Sequence, residues 1–288
     1  MDLGSRVPPE VRAGLERRKK HQEARGQDFR IRQPRQAEPR GVENRLKREM
    51  RKRISAGFEL VEARLLTRLP SLLEDFHSEL PFTQKSDGFG NDLFVIINGI
   101  KVQFAENLTT AQLIQQLKRS GIEVNAHNVR QFRRVFKQGV GVDPFRQEPW
   151  TDLAIDNYVE QNVSLIKSVE DRYFSEVEEI VHRGARNGLQ TQEISRMIRE
   201  RTKVAKSRAD LIARDQVNKF NGQLNMIRQR DTGVTRYRWR TAQDERVRPQ
   251  HAAREGRVYE WDDPPSDGHP GEPINCRCYA EPILEDLI

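Results

Sequence analysis

Apolar residues from Leu46 onward keep to one side of a helix: Leu46, Met50, Ile54, Phe58, Val61 and Leu65 follow one another at steps of four, four, four, three and four. That period describes a long amphipathic helix beginning near Val42 and ending near Pro70, which cannot continue a helical hydrogen-bond ladder. The stretch NDLFVIINGIKVQFAE then reads differently. Its apolar runs at 94–97 and 100–104 flank Asn98-Gly99, a pair suited to a two-residue turn, so the pattern predicts a β-hairpin over 94–104. A short helix at about 111–118, closed by Gly121, another at about 128–136, and a loop over 139–144 complete a small α+β region.

After Trp150 the helical period lengthens. Ile166, Val169, Tyr173, Val177 and Ile180 line one face up to Gly184 and Gly188, a short helix follows around Ile194 and Ile198, and Ala209, Ile212, Ala213, Val217, Phe220, Leu224 and Ile227 mark a further one before Gly233. TRYRWRT alternates strictly, with Tyr237 and Trp239 on one face and Arg236, Arg238 and Arg240 on the other, as in a half-buried strand. Pro249 suits a first helical position, with Gly256 just past that helix's end. Further strands are expected at about 257–261 and 277–283. The fold class is α+β: mostly helical, with long amphipathic helices and a small antiparallel sheet at the C-terminus.

Residues 1–41 hold one aromatic, Phe29, and four prolines, too little apolar surface to offset ordering entropy, so the reading is a disordered arm. Residues 42–149 form the helix plus α+β region, and 150–288 the C-terminal domain. Charge sharpens this division. Residues 1–53 carry 17 Lys or Arg against 8 Asp or Glu, a net of +9 in a chain of +7 overall, so the remainder is slightly acidic. A basic arm attracts polyanions through counterion release. Arg17, Arg18, Lys19 and Lys20 are its candidate DNA contacts; a solvated tail is the alternative.

Composition removes several classes. At 35% hydrophobic and 32% charged residues, the chain has no apolar run of membrane-spanning length, and its charged start is unlike a secretory leader. Two cysteines in 288 residues do not make a disulfide framework, and the expectation is a reducing compartment.

Both cysteines stand together in PGEPINCRCYAEPIL, at Cys276 and Cys278. With His251 and His269 they could form a Cys2His2 zinc site, with Asp244 as replacement ligand or supporting partner, since thiolate and imidazole suit zinc. The spacing is not that of a zinc finger, and alternate strand residues point to opposite sides. On the other reading one cysteine packs in the core, the other is exposed, and His251 bonds Asp244. Both readings stand at this level. A thiol nucleophile or a nuclease built on Asp244, His251 and Cys276 lacks an oxyanion signature, a phosphate loop and a paired-carboxylate metal site, so no enzyme is expected.

In order, NVSLIKSVEDRYFSEVEEIV, GLQTQEISRMI, SRADLIARDQVNKFNGQLNMIRQRDTGVTRYRWRTAQDERVRPQH and PPSDGHPGEPINCRC resemble the phage Mu protein F-like family of minor head, or head morphogenesis, proteins. The family pattern is matched by Arg208, Ala209, Ala213, Arg214 and Asp215. It continues through Trp239, Thr241, Asp244, Arg246, Arg248 and His251. It closes with Pro264, Pro265, Pro270, Gly271, Asn275, Cys276, Arg277 and Cys278. The resemblance covers about 150–283. It implies a tailed-phage virion protein in few copies, in the head near the portal vertex and in the host cytoplasm during assembly. Its implied partners are the portal protein, other head proteins and phage DNA, with no membrane and no catalytic residues. The closing motif would pin the chain end to the turn holding Asp244 and His251. A DNA-binding accessory factor is the competing reading.

Overall fold

The computed structural model describes residues 7–77, 82–144 and 147–288, with the backbone alone over 82–87. In chain order the elements are helices α1 (Pro9–Glu23), α2 (Arg40–Val61), α3 (Leu69–His77), α4 (Phe82–Asn107), α5 (Thr110–Val140), α6 (Thr151–Arg186) and α7 (Thr191–Asp231), then strand β1 (Arg236–Arg240), helix α8 (Pro249–Ala252), and strands β2 (Val258–Glu260) and β3 (Tyr279–Pro282). A π turn, Glu62–Leu66, follows α2, and a 3-10 turn, Leu284–Leu287, follows β3. Helices with a small antiparallel sheet at the C-terminal end are what the sequence pattern described. Among the described residues no helix is long and apolar enough to cross a membrane.

The chain forms two compact units, neither continuous in sequence. One comprises 1–43, 119–158 and 214–288, the other 44–118 and 159–213. The three consecutive sections expected from composition are therefore not how the contacts divide.

In the second unit the hairpin expected at 94–104 is a correction: those residues lie inside α4. Leu93, Ile97, Ile100 and Phe104 are buried at steps of four, three and four, while Phe94, Val95 and Val102 are exposed. The helical period outweighs the local turn preference of Asn98-Gly99, because a hairpin would leave that apolar stripe split between two faces. The same unit buries an ion pair, Arg53 Nε to Glu170 Oε1 at 2.5 Å, and a Tyr173–Thr202 hydroxyl bond of 3.1 Å. The short helix expected around Ile194 is also longer than its apolar residues suggested. Thr202 and Ala205, both buried, carry its stripe through a polar stretch into the rest of α7.

In the first unit the expected arm is a correction too. Residues 1–6 lie outside the described residues, but α1 is a helix whose Val11 and Leu15 are fully buried among Phe132, Phe136, Val140, Leu284 and Leu287. Two apolar residues one turn apart suffice to seat a short helix when a ready-made apolar surface receives them. The extended segment after α1 is tied down as well: Ile31 N–H donates to Glu285 Oε1 (2.8 Å), and the Ala37 carbonyl lies 2.8 Å from His127 Nε2. The two short helices expected at 111–118 and 128–136 are one, α5. Gly121 does not stop it. A Cβ there would come within 3.2 Å of both Ile155 and Tyr158, so the glycine serves the close approach of α6.

The sheet has the order β2-β1-β3, with Tyr237 opposite Tyr259 and Trp239 opposite Ala280. Tyr237 and Trp239 are fully buried with Trp261, Cys276, Cys278 and Ala280. The alternate arginines face acids: Arg236 grips Asp286 with two 2.7 Å bonds, and Arg240 grips Glu281 at 2.9 and 3.0 Å.

Candidate metal centre at the C-terminal motif

The C-terminal half of α7 is the seat of the motif. Asn225 and Gln229 donate side-chain N–H groups to the Ala280 carbonyl at 3.0 and 2.9 Å, which fixes β3. Asp215 accepts the Asn275 N–H at 2.7 Å, and a Cβ on Gly222 would press to 3.0 Å on the Pro270 carbonyl. The Pro-Gly step and the cysteine segment thus rest on one helix face.

The turn after β1 is closed by acids. Thr241 gives both its N–H (2.6 Å) and its hydroxyl (2.8 Å) to Glu255 Oε2. Asp244 accepts the Arg246 N–H at 3.1 Å and a close bond from Arg277, the residue between the two cysteines. Arg248 donates to the Ile274 carbonyl. Arg277 and Arg248 therefore pin the chain end to the 244–251 turn. Asp244 does not bond His251, a correction to one expectation; its carboxylate turns to Arg277 instead, whose bond holds the Asp244 carboxyl below its usual range.

His251, 2% exposed, is placed by α8. Its Nε2 lies 3.0 Å from Asp267 Oδ2, and its Nδ1 lies 3.6 Å from each of the Cys276 and Cys278 sulfurs. The three ligand atoms lie within 4.8 Å of one another. The two residues share one side of the chain, against simple strand alternation, because the segment through Cys276 and Cys278 is irregular and β3 begins only at Tyr279. Asn275 just before it has φ +56°, and Gly271 has φ +100°, a conformation that favours glycine and lets its N–H reach the Cys276 sulfur at 3.5 Å. The two free thiols act on each other, which draws the Cys276 pKa down and pushes that of Cys278 up.

His269 is not in the cluster. Its Nδ1 lies 2.9 Å from the Tyr237 hydroxyl, its ring packs on Trp261, and burial lowers its pKa. Asp267 takes the partner role that the sequence assigned to Asp244. No local pattern marks it out from the other acids of DDPPSDGHPGEP. Of the four DNA-contact candidates, Arg18 is turned inward, donating to the Gln138 and Gly139 carbonyls at 2.7 and 2.9 Å, while Arg17, Lys19 and Lys20 are exposed.

Residues 175–281, which contain this whole arrangement, match the model of the family described as phage Mu protein F like protein. Over that stretch the chain is similar to the phage Mu protein F-like family. A curated protein of Haemophilus influenzae, named only as uncharacterised, is 32% identical over 166 residues, covering 56% of this chain and 37% of its own length. The chain thus spans little more than a third of that relative. No solved structure matches.

Proposed function

We propose that this chain is a structural protein of a tailed-phage head, acting in head morphogenesis as a minor component at the portal vertex. The observation that carries the reading is the family match over residues 175–281. A structural role is further supported by how the motif is used: Thr241 bonds Glu255, Arg277 bonds Asp244 and Arg248 bonds the Ile274 carbonyl, each tying one chain segment to another. Heads assembled with and without the portal protein separate the parts of the proposal. The chain should be retained by portal-containing heads and lost from portal-free ones. Equal retention by both would reject the portal as its partner while leaving a head role.

A DNA-binding role is the second reading, favoured by a cleft of the second unit where Arg48, Arg51, Lys52, Lys203 and Lys206 outnumber Glu59 and Asp210, the latter paired with Arg51. Contacts of this kind are read through phosphate charge, so affinity should fall steeply with salt and show little sequence preference. Salt-independent binding, or none, removes it.

A further inference from the structure

We propose that His251, Cys276 and Cys278 bind one zinc ion through Nδ1 and two thiolates, with a water or other small exogenous ligand in the fourth position. The proposal is independent of any role in the head.

Three observations carry it. The first is the direction of His251. Asp267 Oδ2 receives both Gln250 and His251 Nε2 at 3.0 Å, and its other oxygen takes Arg254. An ionised carboxylate only accepts, so Nε2 carries a proton, and the neutral imidazole that a metal requires presents its lone pair at Nδ1. A carboxylate behind a ligating imidazole is the usual partner of a bound metal.

The second is spacing. Both sulfurs lie 3.6 Å from the same Nδ1. One lone pair accepts one S–H, so a proton can satisfy only one of these contacts. Zinc bonds of about 2.3 Å to sulfur and 2.0–2.1 Å to nitrogen at the tetrahedral angle put N and S about 3.6 Å apart. One ion at the centre would therefore match both N–S spacings at once.

The third is the surrounding donors. The Gly271 N–H points at the Cys276 sulfur (3.5 Å). The buried Trp239 indole N–H has no hydrogen-bond partner, and Trp239 packs in the same cluster as Cys278. Metal binding converts both thiols to thiolates, their protons leaving to solvent, and supplies these donors with charged acceptors. Two thiolates and an imidazole select zinc over magnesium or calcium. His269 is not the fourth ligand, because its Nδ1 is engaged by Tyr237.

The test is titration of the reduced, metal-free full chain with Co²⁺, followed by displacement with Zn²⁺. The proposal requires one cobalt per chain, a thiolate-to-cobalt charge-transfer band, strong visible bands of tetrahedral cobalt, and loss of all of them on adding zinc. Imidazole added to the cobalt form should shift the visible bands. His269→Ala should keep the spectrum, and Asp267→Asn should weaken metal binding about 10- to 100-fold. Absence of the charge-transfer band, or a weak octahedral spectrum, overturns the site in the wild-type chain without reliance on any variant. Loss of the spectrum in a folded His269→Ala protein, or visible bands indifferent to imidazole, overturns the three-ligand assignment.

Discussion

Arg228 carries its charge with 1% of its side chain exposed. It is held by Glu148 at 2.7 and 2.6 Å, by Asn125 and Asn128 at 2.5 Å each, and by the face of Trp150, 5.2 Å away. Removing the guanidinium strands a buried carboxylate, so Arg228→Ala should cost about 3–5 kcal/mol in chemical denaturation. A loss below 1 kcal/mol, the level of a surface pair, would show that the cluster is solvated. The acids around the motif give a second expectation. The Asp244 carboxyl lies below its ordinary 3.8 because of Arg277. Burial raises Asp267 and Glu255, but Arg254 and His251 outweigh it for Asp267, as Thr241 and Arg240 do for Glu255, so both are also depressed, from 3.8 and 4.5. A depressed folded pKa means stability that is full above the unfolded value and lost as pH falls through the folded one. The carboxylates should therefore stabilise the sheet fully down to about pH 4.5 and progressively less below it. His269, its pKa lowered by burial, begins to cost stability once pH falls below the ordinary 6.5. In His269→Ala, followed by fluorescence of Trp239 and Trp261, only the carboxylate loss should remain, and loosening of that variant between pH 6 and 5 would contradict this assignment. At this scale the sequence was partly legible. It grouped His251 with Cys276 and Cys278 because residue type alone suggests that chemistry. It also included His269 and Asp244, which turn instead to Tyr237 and Arg277, because which way a loop side chain turns depends on partners that spacing does not display.

Among the elements, α4 is the sharpest contrast between local preference and fold. Asn98-Gly99 favours a turn, but Leu93, Ile97, Ile100 and Phe104 already carry the helical period, and burying them together decides the outcome. Gly99→Ala distinguishes the two. A Cβ at Gly99 would meet only Arg64, at an ordinary 3.5 Å. In a helix the change should stabilise by about 0.5–1 kcal/mol, whereas a hairpin turn needing φ > 0 would be destabilised. A lowered midpoint in thermal denaturation would contradict the helix. The strands of the C-terminal sheet were legible because strict alternation at 236–240 leaves no helical reading. The docking of α1 was not, because its burial depends on a surface supplied by α5 and by the 3-10 turn some 270 residues away in the chain.

Across the whole molecule, the excess positive charge of residues 1–53 is divided between two uses. Arg53 is paired in the second unit's interior and Arg18 caps α5, while Arg17, Lys19, Lys20, Arg48 and Lys52 remain at the surface. Net charge announced the basic segment but not this division, and composition could not reveal units assembled from discontinuous segments. The family resemblance was legible because its motif residues are spaced along one stretch, and the structure gives most of them a bond or a buried place. The measurement that bears on the role of the chain as a head protein is quantitative mass spectrometry of purified heads and of the soluble fraction from the same lysate. The chain should be present in the heads, at a few copies against the many of the shell protein. Its confinement to the soluble fraction, with none in intact heads, would contradict the proposed function.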